Sequence, residues 1–190
     1  MLIVTPTGDY PDEAARDAVE SLGFMEGSDT TRRSDVAEAL SYAAPDGTSL
    51  RYLLEPELEI PVIVIEGPSA SPLRERLTKR LPHVSALAAG IGYDVAASVE
   101  VKITLLRILS AHALEATIPL MLRAAEWAAR DPSPFVRLGV AQLLQYAHEA
   151  SIADIVRRRL LADPEPTVRE FSRWALLRFD GARSARGPAS

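Results

Sequence analysis

The segment VRLGVAQLL, from Val136 to Leu144, is one copy of a nine-residue pattern that decides the fold of this chain. The pattern also occurs as VKITLLRIL from Val101 and as VREFSRWAL from Val168, at nearly regular intervals. Apolar or small residues fall at its positions 1, 5, 8 and 9, which form one face of an α-helix. A period of this size indicates stacked supersecondary units, none of which buries its apolar face alone.

The residues around the pattern complete a helix pair. The second and third copies follow DPSP (131–134) and DPEP (163–166). Proline suits the first turn of a helix because its missing N–H would have no partner there, and a nearby Asp caps free N–H groups. A second helix follows each copy, so each unit is predicted to be two antiparallel helices. Its apolar residues recur with the same period, as Ile118, Met121 and Leu122 and then as Ile152, Ile155 and Val156.

The motif Asp-Pro-x-Pro-x-Val-Arg, with Ala-Leu or similar residues further on, resembles the first helix of a HEAT repeat over residues 94–179. In that family the basic residue after the Val commonly pairs with the Asp of a neighbouring turn. The resemblance therefore implies a ladder of Asp131, Arg137, Asp163 and Arg169, in which the arginines are structural instead of ligand-binding. HEAT-like proteins share binding by an extended curved surface and no single chemistry, so the fold alone does not fix a function.

The first half of the chain predicts a small sheet with the element order β-α-β-β-β-α, which suggests a ferredoxin-like layer. Pro45-Asp46-Gly47 is predicted to turn a hairpin whose second strand is Leu50–Leu54. The run Ile60–Ile65 lacks alternation, which predicts a strand buried on both faces. Helices are predicted to begin at Pro11 and at Ser71.

We therefore predict an α+β protein: a small N-terminal sheet domain over residues 1–70, and a right-handed α-helical HEAT-like repeat array over residues 71–180. Residues 83–93 carry Val84, Leu87, Ala88 and Ile91 at helical spacing, which suggests a degenerate repeat that caps the array. Residues 181–190 are small and polar and are predicted to be a disordered tail.

Composition favours a globular protein, since 47% of the 190 residues are hydrophobic and 25% are charged. The chain has no cysteine, which removes disulfides and thiolate chemistry. No secretory signal and no apolar run of membrane-spanning length is evident, so we expect a cytoplasmic protein without membrane association. Abundant Ala and Arg with scarce Lys suggest a bacterial source.

The charge is unevenly distributed along the chain. The net charge is −5, but residues 1–97 carry −8 and residues 98–190 carry +3. The plain interpretation is two solvated surfaces. The sharper interpretation is that the acidic half mimics or repels nucleic acid while the basic half meets an acidic partner.

Catalytic motifs are lacking. His83, His112 and His148 share no metal-ligand spacing, and Gly90-x-Gly92 lacks the rest of a phosphate-binding loop. Alternating glutamates at 55, 57 and 59 are more typical of the solvent face of a strand than of an acid–base pair. We therefore expect neither metal nor cofactor, and no enzyme activity.

The candidate binding residues are Arg123, Trp127, Arg157 and Arg158, on the second helices, where the period makes Arg123 and Arg157 equivalent. Arg and Trp dominate interface energetics, although both tryptophans could instead pack between repeats. The sequence favours a protein–protein interaction module of adaptor, regulator or immunity type. The alternative is nucleic-acid binding as in HEAT-like alkylpurine glycosylases, which the pI of 5.3 disfavours. A third possibility is an enzyme that resembles the HEAT-like lyases that attach chromophores, but the sequence contains no group of residues that would handle such a cofactor.

Overall fold

The computed structural model describes residues 1–7, 11–22, 40–55, 59–116 and 118–185. The chain divides into two compact units, Met1–Ser85 and Ala86–Ser190. The protein is α+β, because the first unit contains an antiparallel sheet and the described part of the second is helical. The unit that contains the sheet ends at Ser85, beyond the predicted boundary at residue 70.

The sheet has four strands in the described residues, in the spatial order β1-β4-β3-β2, and every neighbouring pair is antiparallel. The predicted element order β-α-β-β-β-α is confirmed. The ferredoxin-like expectation is wrong, because β3 connects directly to β4 without the second helix that a ferredoxin-like sheet places between its third and fourth strands. The strands are β1 (Leu2–Val4), β2 (Leu40–Ala43), β3 (Ser49–Glu55) and β4 (Ile60–Glu66).

The predicted hairpin turn joins β2 to β3. Gly47 adopts a φ of 82°, which an L-residue rarely accepts. The Asp46 carboxylate accepts hydrogen bonds from the Thr48 N–H at 2.9 Å and the Ser69 hydroxyl at 2.5 Å. Gly67 approaches so closely that an added Cβ would lie 2.7 Å from the Cα of Thr48. The turn therefore fits against the corner that follows β4.

Helices α1 (Pro11–Glu20) and α2 (Ala70–Thr78) complete the first unit. Leu73 and Leu77 of α2 join the core formed with Ile63 and Ile65 of β4. The sequence assigns this helix to the repeats, but it packs on β1 and β4. The apolar period of a helix identifies its buried face and not the element that covers it. Residues 62–65 of β4 are all buried, so the prediction of burial on both alternating faces is confirmed.

The second unit consists of paired helices in its described residues. The three copies of the sequence pattern form helices α4, α6 and α8, of which α4 packs against α6 and α6 against α8. Between them, α5 packs against α6 and α7. The helices are α3 (Ala86–Val95), α4 (Val99–Ala113), α5 (Pro119–Ala128), α6 (Pro134–Ala147), α7 (Ala150–Ile155), which continues into a π-helix (Val156–Leu160), and α8 (Pro166–Ala185).

Most pattern positions are buried as expected, including Val136, Val140 and Val168. Val101 is an exception, because 49% of its surface is exposed at the start of α4. The Oδ1 atom of Asp131 accepts the Ser133 N–H at 2.9 Å, and Asp163 does the same for the Glu165 N–H. Each Asp thus binds a free N–H just before a helix whose first residue is proline.

Two glycines bring helices close together. A Cβ built on Gly139 of α6 would lie 2.8 Å from Cδ1 of Leu106 in α4. A Cβ on Gly90 of α3 would lie 2.7 Å from the Cβ of Leu120 in α5. The contact at Gly90 requires glycine, because the Cβ of Leu120 cannot rotate away. At Gly139 the close atom is the end of the Leu106 side chain, which can shift.

The predicted capping segment is helical, but its orientation differs from the one that the sequence suggested. In α3 the buried residues are Ala89, Gly90 and Tyr93, whereas Leu87 and Ile91 are exposed. The small residues of α3 allow it to approach its neighbouring helices closely. This close packing determines which face of α3 is buried, although the larger apolar side chains lie on the other face. Val84 is not helical, because its N–H and carbonyl bond to Thr5 after β1.

The predicted tail also differs. Helix α8 continues through residues 181–185, where the Ser184 hydroxyl donates to the Asp180 carbonyl at 2.9 Å. Small and polar residues at 181–185 suggested disorder, yet they still extend a helix that is already formed, since adding a residue costs far less than nucleation. Residues 186–190 lie outside the described part of the chain.

Candidate functional site

The ladder that the resemblance implied is present. Arg137 holds both carboxylate oxygens of Asp163, with Nε at 2.6 Å and Nη2 at 2.8 Å. Its Nη1 donates to the backbone carbonyls of Asp131 and Pro132 at 2.8 and 2.9 Å. One arginine therefore connects the turn before its own helix to the turn before the next.

The ladder continues in both directions. Arg169 donates to the carbonyls of Asp163 and Pro164 at 2.6 and 2.9 Å. Arg137 makes the same two contacts with the turn before its own helix, α6. Lys102, in the first copy of the pattern, pairs with Asp131 at 2.6 Å. Basic residues at the second position of all three copies thus bind the turns, which explains why that position is basic.

The central pair is shielded from solvent, with side-chain exposures of 11% for Arg137 and 3% for Asp163. Burial acts to raise the pKa of Asp163, but hydrogen bonds from Arg137 and from the Glu165 N–H outweigh it, and the pKa is lowered. The same pair raises the pKa of Arg137. Because these groups satisfy one another, the ladder accounts for its arginines structurally.

A separate group of charged and aromatic side chains lies on α5 and the π-helix. We call it the Trp127 surface; it consists of Arg123, Glu126, Trp127, Arg130 and Arg158. Arg123, Glu126 and Trp127 lie in α5, and Arg130 lies in the turn that follows it. Arg123 is three and four residues from Glu126 and Trp127, and Arg130 is three and four residues from Trp127 and Glu126, which places all four on one side. The opposite face of α5 is buried through Met121, Ala124, Ala125 and Ala128.

Trp127 lies open at this surface, with 44% of its area exposed. The Cζ atom of Arg123 lies 4.5 Å from the centroid of the Trp127 ring, within cation–π range. Arg123 also pairs with Asp94 of α3, where the Nη2–Oδ2 distance is 3.0 Å. Part of the Trp127 ring is therefore open to solvent, and the ion pair holds the guanidinium over the ring.

Two arginines share one carboxylate beside Trp127. Arg130 and Arg158 each approach Glu126 at 3.2 Å, and Arg158 donates from Nε to the carbonyl of Asp154. The contact between Arg158 and Glu126 joins the π-helix to α5. Since one negative charge faces two positive charges, the surface keeps an excess of positive charge.

Arg157 lies elsewhere. It pairs with Asp154 at 3.2 Å and with Asp180 of α8 at 2.7 Å, and its Cζ lies 5.9 Å from the Phe179 ring centroid. Of the four candidates, the structure brings Arg123, Trp127 and Arg158 to one surface and directs Arg157 towards α8.

The π-helix explains why Arg157 is not the equivalent of Arg123. Up to the first residue of the π-helix, the buried residues Met121 and Ala125 correspond to the buried residues Ile152 and Val156. After it, Asp131 corresponds to Asp163, and the offset between equivalent positions has become one residue longer. A π-turn inserts one residue into a helix, which accounts for the change in offset. When α5 and α7 are aligned by their buried residues, Asp154 and not Arg157 is the equivalent of Arg123.

A second exposed aromatic group lies outside the four candidate binding residues. Trp174 of α8 is 40% exposed, Arg178 stacks on its ring at 5.0 Å, and the Phe171 ring centroid lies 5.4 Å away. Leu177, one turn further on, is 73% exposed. The signal was available, because these apolar residues recur at helical spacing on the side opposite Val168 and Ala175.

The remaining candidates do not converge. His83 approaches the Leu81 carbonyl at 3.0 Å, and His112 is buried. Glu59 adopts a φ of 51° after a segment that contains Glu57, which lies outside the described residues. Within the described ranges, no group of three or more potential ligands is arranged to hold a metal ion.

In the same ranges, no helix is long and apolar enough to span a bilayer. Comparison with known proteins gave no match to a family model, a curated protein or a solved structure.

Proposed function

We propose that residues 86–185 form a right-handed HEAT-like array and that the protein is a non-enzymatic interaction module. The side-by-side packing of α4, α6 and α8 supports this proposal, as does the ladder between their turns. In such an array α5 and α7 line the concave face. An adaptor, a regulator or an immunity protein in the bacterial cytoplasm would use that face to hold its partner.

The observation that carries the proposal is the stacking of Arg123 on an exposed Trp127. Tryptophan and arginine are the residues most enriched among interface positions that dominate binding energy. The Trp127 ring is already in contact with the Arg123 guanidinium, which is itself held by an ion pair with Asp94. A partner that covers Trp127 therefore loses little side-chain entropy in ordering it.

The charge of the surface indicates the partner's chemistry. Arg123, Arg130 and Arg158 face only Glu126 and Asp94 among the described acidic side chains, which leaves a positive excess around the ring. We infer a protein partner that presents an acidic patch around an apolar pocket for Trp127. Complementary charge speeds association and excludes wrong partners more than it adds affinity.

Nucleic acid is the competing partner, because arginine and tryptophan also stack on bases. The acidic pI of 5.3 favours the protein over a nucleic acid. The two classes of partner differ in a measurable way. Nuclease treatment removes a nucleic-acid partner, and the affinity for nucleic acid falls steeply as the salt concentration rises.

Affinity capture from a lysate of the host, with quantitative mass spectrometry, tests the proposal. We expect one protein to be retained in stoichiometric amount by the wild type after nuclease treatment, and lost by Trp127→Ala. Arg157→Ala is the matched control, since Arg157 lies off the Trp127 surface, and it should retain the partner. Circular dichroism should show unchanged helix content in both variants.

Loss of the captured material on nuclease treatment would replace the protein partner with nucleic acid. Equal capture by Trp127→Ala and wild type would remove the Trp127 surface from the function.

A further inference from the structure

We propose that two copies of this chain associate through helix α8, about a two-fold axis that passes beside Trp174. The contact surface differs from the Trp127 surface and does not depend on it. We call it the α8 face; it consists of Glu170, Phe171, Trp174, Leu177 and Arg178. These residues lie on one side of the helix, opposite the buried Val168, Ser172, Ala175 and Phe179.

The α8 face continues the packing of α4, α6 and α8. Since Val136 corresponds to Val168, Gln142 and Gln145 of α6 correspond to Trp174 and Leu177 of α8. Both glutamines are half-buried, whereas Leu177 is 73% exposed. Helix α8 therefore presents larger apolar side chains to solvent at positions that are partly buried in α6.

The α8 face is complementary to itself. If two antiparallel copies of α8 meet with Trp174 on the axis, each residue faces the one equally distant on the other side of Trp174. Phe171 then faces Leu177 of the second copy, and the two Trp174 rings meet each other. In such an isologous contact each pair off the axis forms twice and the Trp174 pair on the axis forms once, and the contact closes as a dimer.

Charge complementarity selects a second copy over other occupants. The same symmetry places Glu170 of each copy opposite Arg178 of the other. Within the described residues Glu170 and Arg178 make no ion pair, and Arg178 contacts the Trp174 ring. A second copy supplies both missing partners at once, whereas a uniformly acidic partner or a nucleic acid would be repelled by Glu170.

One helix from each copy gives a smaller contact than the roughly 1,600 Å² of a standard interface. We therefore expect a dimer with a dissociation constant on the order of micromolar, set by the aromatic contacts and tuned by the two ion pairs.

Sedimentation equilibrium over about 1–500 μM tests the proposal, and charge reversal makes it specific. The wild type should shift from monomer to dimer within this range. Glu170→Arg and Arg178→Glu should each raise the dissociation constant by about tenfold or more, because each places like charges opposite one another. The double variant Glu170→Arg/Arg178→Glu should recover much of the association, since its charges are again opposite.

Arg76→Glu, an exposed reversal in the first unit, is the control for net charge and should leave the dimer unchanged. A second readout uses Trp127→Phe, which leaves Trp174 as the sole tryptophan; its emission should shift to shorter wavelength as the dimer forms. A chain that stays monomeric at every concentration overturns the proposal. So does a dimer that Glu170→Arg leaves intact, or a double variant no better than the single ones. Binding of an acidic protein or a nucleic acid to the α8 face of a monomeric chain would assign the surface to that occupant instead.

Discussion

Arg137 and Asp163 form a two-pronged ion pair between successive helix pairs, with nitrogen–oxygen distances of 2.6 and 2.8 Å. The pair lies almost entirely out of solvent. Its geometry matches the fork of a guanidinium to the two oxygens of a carboxylate, which lysine cannot reproduce. The pair constrains the relative position of α6 and the turn before α8, because its geometry tolerates little displacement.

Arg137→Ala should lower the free energy of unfolding by about 3 kcal/mol, since it leaves the Asp163 carboxylate buried with its charge unpaired. Urea denaturation followed by helix ellipticity measures the effect. Lys79→Ala is the control, because Lys79 pairs with Glu75 in the open and its loss should be far smaller than that of Arg137→Ala. Similar losses in the two variants would mean that the buried pair has no structural role.

Acid should weaken the fold through Asp163. Its pKa in the folded protein is lowered from the ordinary 3.8. The pairing therefore contributes stability in full above that ordinary value, and the contribution disappears as pH falls through the lower folded pKa. The stability difference between wild type and Asp163→Asn should be constant from about pH 5 to 8 and shrink below about pH 4. A difference that persists undiminished at pH 2 would contradict this assignment.

Gly90→Ala should destabilise the second unit by about 1–2 kcal/mol, because the new Cβ meets the Cβ of Leu120, which cannot rotate away. Gly92→Ala, two residues along the same helix, meets Leu105 no closer than 3.5 Å. It should be neutral or gain up to about 1 kcal/mol from helix propensity. Thermal unfolding of both variants tests the close approach of α3 and α5, and equal effects would disprove it.

Ser172→Ala should stabilise the protein by about 1 kcal/mol, because Ser172 is fully buried and its hydroxyl oxygen has no hydrogen-bond partner among the described residues. Removing the hydroxyl relieves a desolvation cost. Ser110 is equally buried, but its hydroxyl donates to the Leu106 carbonyl at 2.9 Å. Ser110→Ala should therefore raise the thermal unfolding midpoint by less than Ser172→Ala does. A larger increase for Ser110→Ala would refute the argument.

Val168→Asp should unfold the second unit, at a cost of several kcal/mol, because it buries a charge at a position with 0% exposure. Val101→Asp is the same substitution at the same position of the pattern, where 49% of the residue is exposed. It should cost about 1 kcal/mol or less. Circular dichroism distinguishes the two, and a folded Val168→Asp protein would show that the pattern does not mark the core.

The features that depend on local chemistry could be predicted from the sequence. Short stretches of residues determine these features, and the structure contains all of them: the turn at Gly47, the buried run in β4, and the helices that follow DPSP and DPEP. The ladder was accessible through the family resemblance, since a basic residue after Val and an Asp before Pro recur together.

The sequence did not predict which surface each helix meets. The leucines of α2 fit a sheet as well as a helix, and the small residues of α3 outweighed Leu87 and Ile91. The structure does not place Arg157 as the equivalent of Arg123, for a related reason. A π-turn inserts one residue and shifts every later position, and an assumed constant spacing conceals this shift.

The double role of Asp163 limits where this architecture can vary in length. Its carboxylate holds the helix pair behind it through Arg137, while its backbone carbonyl receives Arg169 from the helix ahead. Connecting segments ordinarily accept inserted residues at small cost. An insertion within residues 161–165 would instead detach two neighbouring pairs together. We therefore expect insertions to be tolerated better in the connections inside each pair, between α4 and α5 and between α6 and α7, to whose described residues neither Arg137 nor Arg169 binds.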